Sequence, residues 1–175
     1  VCHTIDAGGS RAGMRWYEFR KPAATWTLYQ EGTYAPADGL ERWMGSIAIN
    51  AAGHMALGYS VSSSGMFPAI RYTGRYFSDP AGQMTIPEET IFAGSGNQSG
   101  LSRWGDYTSM NVDPNGINFW YVNQYQPATG SFNWRTRIGN IDYTIPVELV
   151  SFSANAVKDE VELNWRTATE TNNQG

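Results

Sequence analysis

The chain uses one stretch twice. Gly39-Leu40-Glu41-Arg42-Trp43 leads into Ser46-Ile47-Ala48-Ile49-Asn50, and Gly100-Leu101-Ser102-Arg103-Trp104 leads into Thr108-Ser109-Met110-Asn111. The Arg-Trp pairs and the asparagines share one offset, since 103 − 42 and 111 − 50 both equal 61. Self-similarity at a fixed period marks a supersecondary unit that cannot bury its own apolar face and stacks on copies of itself. That constraint organises the reading of everything else.

The segments between the repeats are strands. Residues 1–35 hold three, Val1 to Ile5, Met14 to Arg20 and Trp26 to Gln30, separated by Ala7-Gly8-Gly9-Ser10 and Lys21-Pro22-Ala23-Ala24. From Trp43 a unit of four follows, at 43–50, 54–62, 68–76 and 84–93, and from Trp104 three more, at 104–112, 117–125 and 132–141. Asp113-Pro114-Asn115-Gly116 reads as a hairpin turn, with Pro preset for the second position and Gly free to take positive φ. Met14-Arg15-Trp16, Ile70-Arg71-Tyr72 and Trp134-Arg135-Thr136 each set an apolar residue before Arg, which makes them copies of one strand. Short antiparallel strands recurring in series predict an all-β fold, a partial β-propeller of about two and a half four-stranded blades, more readily than a sandwich. The expected propeller region is 1–145.

Composition agrees and excludes some functions. Aromatic residues make up 14% and charged residues only 16%, with 19 Gly, a mixture that suits twisted strands and tight turns. A net charge of −4 with singly scattered Arg argues against nucleic-acid binding, and no apolar run approaches the length of a membrane span. Cys2 is alone, so this stretch has no disulfide framework, and His3 and His54 lie far apart without ligands at metal spacing. No metal and no cofactor is expected. Val1 is not a Met and the chain stops in a polar run, so both ends read as interior to a longer protein.

After Pro146 the pattern changes. Val147 to Ala154 alternates, as does Val161-Glu162-Leu163-Asn164-Trp165, with Asp159-Glu160 in the turn. Residues 146–175 therefore read as the first hairpin of an immunoglobulin-like or fibronectin type III-like sandwich, with Trp165 on its inward parity. Pro146 to Ala154 together with Leu163 to Gly175 resembles the linker sandwich near the C-terminus of many Bacteroidetes proteins exported by the type IX secretion system. Ser102 to Pro114, with Phe119-Trp120-Tyr121 and Trp134 to Gly139, resembles the last blades of a family of large secreted bacterial propeller proteins. These resemblances imply an extracellular or cell-surface protein. They also imply export partners in the type IX translocon or its shuttle components, and a glycan or surface-protein ligand.

Candidate chemistry is sparse. Asp106 and Tyr107, placed after Trp104 at the inner end of a strand, could face a propeller axis, where Arg103 or Arg42 would complete a sugar-binding or acid group. The competing reading is that Asp106 caps backbone donors. Arg71, Arg75, Arg135 and Arg137 invite comparison with the arginine clusters of sialidases, but repetition of Arg15, Arg71 and Arg135 by unit favours a structural role. The expectation is thus a binding or structural protein, the rival being a secreted glycosidase-like hydrolase with its site in blades beyond this sequence. Three further expectations follow: Trp43 and Trp104 occupy equivalent places, Asn50 and Asn111 each open a turn, and the last blade lacks its own outer strand. That strand would come from chain preceding Val1, or else residues 142–150 would fold back to supply it.

Overall fold

The structure, a computed structural model, describes residues 1–143 and the strand backbones 149–157 and 160–167. Its elements are β1 (Cys2–Asp6), β2 (Ala12–Arg20), β3 (Thr27–Tyr34), β4 (Glu41–Ile49), β5 (Met55–Ser63), β6 (Met66–Arg75), β7 (Ile86–Phe92), β8 (Ser109–Val112), β9 (Phe119–Tyr125), β10 (Arg135–Ile141), β11 (Leu149–Val157) and β12 (Glu160–Thr167). No helix occurs among the described residues, and every ladder between strands is antiparallel. The chain is all-β.

Val1–Asp142 forms one compact unit and 143–175 another. In the first, three sheets run in order β1-β2-β3, β4-β5-β6-β7 and β10-β9-β8. In the second, β11 and β12 pair as a hairpin, with Phe152 opposite Trp165. The expectation that Trp165 is a core residue concerns a side chain outside the described residues.

The middle sheet explains why the first unit holds together. Met-Ala-Leu-Gly-Tyr-Ser-Val in β5 alternates large with small rather than apolar with polar, and all seven residues are buried. The large set, Met55, Leu57, Tyr59 and Val61, packs with Met14 and Trp16 of β2 in the main core. The small set faces the third sheet. A Cβ on Gly58 would sit 2.5 Å from the Tyr121 ring of β9, so glycine is what lets that ring seat against the strand. Beside it, Ser60 Oγ accepts from Trp104 Nε1 at 2.9 Å and from Asn123 Nδ2 at 3.1 Å. Sheets thus stack in series on both faces of β5, where burial of apolar surface at about 25 cal/mol per Å² supplies the drive. The same close approach recurs at Gly45, whose missing side chain leaves room for Met14.

The expected turn at Asp113 forms, with Gly116 N–H donating to Asp113 O at 2.8 Å and Gly116 at φ 75. Other expectations need correction. Residues 104–108 are not strand; Gly105 takes φ 63 and Thr108 N–H closes a turn onto its carbonyl, so β8 starts only at Ser109. Trp43, by contrast, lies within β4 opposite Ser60, so the two tryptophans are not equivalent. They converge instead, their ring centroids 6.2 Å apart. Asn50 does open its turn, accepting from His54 N–H at 2.9 Å and donating to Ile117 O at 2.7 Å, but Asn111 sits inside β8 and Asp113 takes the turn-opening place. The hairpins close at Asn50–His54 and Asp113–Asn118, offsets of 63 and 64 rather than 61.

Candidate functional site

The most concentrated polar chemistry lies on the face of the middle sheet that looks toward the first, and each strand of that sheet contributes one residue: Arg42 from β4, Tyr59 from β5, Arg71 from β6 and Glu88 from β7. Tyr59 stands opposite Arg71 in the ladder, which puts both on one face. Glu88 gathers them. Its Oε1 accepts from Arg42 Nε at 2.8 Å and from the Tyr59 hydroxyl at 2.6 Å, and its Oε2 from Arg71 Nη1 at 2.7 Å and Arg42 Nη2 at 3.2 Å. Asp38, in the connection before β4, takes the rest of the Arg42 fork, with Oδ2 at 2.6 Å from Nη2 and Oδ1 at 3.1 Å from Nη1. Tyr34 of β3 closes the group, its ring 5.8 Å from that of Tyr59 and under the Arg42 guanidinium at 5.5 Å.

The electrostatics follow from those partners. Burial alone would raise the Glu88 carboxyl, but hydrogen bonds from Arg42, Tyr59 and Arg71 win and hold it below the usual range. Asp38 is brought down to about 2, chiefly by its bond from Arg42. Burial, then the bond to an ionised Glu88, push the Tyr59 phenol far upward. A tyrosine backed by a glutamate between arginines is a group set some glycosidases use with tyrosine as nucleophile. Here Tyr59 is 0% exposed and Arg42 1%, and both Glu88 oxygens are fully engaged, so the cluster ties four strands together and offers a substrate no reactive atom.

Of the residues singled out from sequence, Arg103, Asp106 and Tyr107 lie together while Arg42 lies apart from them. Arg103 and Asp106 form an ion pair within their turn, Nε to Oδ2 at 2.8 Å, at the protein surface. Asp106 therefore neither caps backbone donors nor lies at a strand end. Tyr107 is 87% exposed, and Arg42 belongs to the buried cluster on the other side of the middle sheet. Sequence reading missed Glu88, Tyr59, Tyr34 and Asp38. A signal for Glu88 existed in the recurrence of Glu-x-Thr at Glu31 to Thr33 and Glu88 to Thr90.

A groove of about 450 Å³ opens between β2 and β4, lined by Tyr17, Phe19, Trp26, Ile47, Ile49 and Met55. Glu18 is on its wall, bound to Gln30 Nε2 and Arg20 Nε, both at 2.6 Å. Trp26 is 65% exposed and presents its ring to solvent. Cys2 is a free thiol that burial pushes up to about 11, which leaves it protonated and unreactive. Among the described residues no group of three or more His, Cys, Asp or Glu could hold a metal. No family model, curated protein or solved structure matches the chain.

Proposed function

We propose that residues 1–145 are blades of a β-propeller in an extracellular or cell-surface protein that binds glycan through the groove between β2 and β4. The groove carries the binding reading: an apolar trough with two exposed aromatic rings, Phe19 and Trp26, and one fixed carboxylate is suited to the apolar face of a sugar ring. The propeller reading is supported by stacking in series, because a sandwich strand buries one face whereas β5 is covered on both. Residues 146–175 are, in this reading, the start of the fibronectin-like linker of type IX cargo, so the translocon or its shuttle would be the export partner.

The test is retention of the chain on a panel of insoluble polysaccharides, with reducing ends assayed in parallel. Saturable retention that Trp26→Ala abolishes, without release of reducing ends, is the expected result. Retention unaffected by Trp26→Ala removes the groove from the account, and release of reducing ends would establish the hydrolase instead. Electron microscopy of the protein that carries this chain tests the fold: a closed ring is expected, an open stack of sheets contradicts it.

A further inference from the structure

The first two sheets share a pairing rule that the third leaves half complete. In the first sheet Arg15 of β2 stands opposite His3 on one side and Thr33 of β3 on the other, and its guanidinium meets Glu31 at 2.6 Å. In the middle sheet Arg71 of β6 stands opposite Tyr59 and Thr90 of β7, and meets Glu88 at 2.7 Å. Each outer strand thus presents Glu-x-Thr to an arginine, with the threonine directly across and the glutamate two residues before it.

The third sheet repeats the inner half. Arg135 of β10 stands opposite Tyr125, and Tyr125 packs on Phe92 of the preceding sheet's outer strand, as Tyr59 packs on Tyr34. Beyond β10 the sheet order ends. Among the described residues Arg135 has no carboxylate partner, and β10 carries exposed Arg135, Thr136, Arg137 and Ile138 along an open edge. The sequence that follows Arg135 carries no Glu-x-Thr. Glutamate follows its arginine by 16 residues in the first sheet (31 − 15) and by 17 in the second (88 − 71). The corresponding positions after Arg135 are Ser151 and Phe152, and both belong to β11, whose ladder runs to β12. The alternative in which 142–150 folds back onto β10 concerns residues 144–148, which lie outside the described residues.

We infer that the outer edge of β10 accepts an extended polypeptide segment from outside residues 1–175, antiparallel to β10, with a Glu-x-Thr core that sets its glutamate beside Arg135. Unpaired ladder groups provide the backbone bonds and the arginine selects the acid. This rests on the pairing of the first two sheets and stands whether or not the sheets close a ring.

The probe is a fluorescent peptide copying residues 84–93, titrated into the full chain and read by anisotropy. Saturable binding is expected, weakened about tenfold by Arg135→Glu and regained when the peptide glutamates are changed to lysine. Arg135→Gln, which keeps size and removes charge, should fall between. A peptide N-methylated on its ladder side should not bind, since charge attraction alone would survive that change. No saturable binding, or binding indifferent to Arg135→Glu, overturns the inference; a peptide that merely displaced β7 would show that indifference. A failed peptide leaves the ring and groove tests untouched.

Discussion

At the scale of single residues, what decides this fold is where side chains are missing. Gly58 is invisible to hydrophobicity arguments, yet any Cβ there would enter the Tyr121 ring. That ring is fixed, Tyr121 being 0% exposed with its hydroxyl accepting from Asn123 Nδ2 at 2.7 Å. Gly58→Ala should therefore destabilise the first unit by about 1–3 kcal/mol, although alanine is the better residue in an open strand. Urea unfolding followed by tryptophan fluorescence measures this, and an unchanged midpoint would mean the two sheets do not meet as described. Trp104→Phe should lose about 1 kcal/mol through its bond to Ser60, and only a small further loss should appear in the double variant with Ser60→Ala.

At the scale of elements, β5 and β10 are opposites. β5 is paired on both edges and covered on both faces, whereas among the described residues β10 is paired on one edge and its outward side chains are exposed. Local opening follows such differences in burial and pairing. Amide exchange should be slowest along Ala56 to Ser60 and far faster along β10 at every amide directed away from β9. Uniform protection across the two strands would indicate that the edge of β10 is already occupied. The turns also belong to this scale: Asp113 bridges the turn it opens, its side chain accepting from Asn115 N–H at 2.8 Å and from Trp120 Nε1 at 2.5 Å. Proline and glycine were legible there because φ restricts which residues can stand in a turn.

At the scale of the molecule, the Glu88 cluster makes stability depend on pH. Glu88 and Asp38 ionise below their ordinary values of 4.5 and 3.8, Asp38 at about 2, so in the folded state they hold protons less readily than in the unfolded chain. Their contribution is complete above those ordinary values and is lost as pH falls through the folded ones. Asp38 is more than a third exposed and screened, so Glu88 carries most of it. Glu88→Gln should cost about 3 kcal/mol at neutral pH by removing one of the two carboxylates that face buried Arg42 and the one that Arg71 pairs with, and should flatten the fall in stability below about pH 4.5. Denaturation midpoints from pH 7 to 2 check both signs.

Residue order alone determined the strand class, most strand positions and the turn at Asp113, because alternation and turn chemistry act over a few neighbouring residues. It misjudged the kinship of Trp43 with Trp104 and of Asn50 with Asn111, where like letters sit in unlike backbone once Gly105 turns left-handed. Only the tertiary structure could decide that Arg42 is sealed with Glu88, that Asp106 belongs to a surface ion pair, and that glycine admits Tyr121. The first and last depend on residues 46 and 63 positions apart meeting within one sheet and between two, the second on the turn that opens at Gly105, and no local pattern records which face of a strand will meet which neighbour.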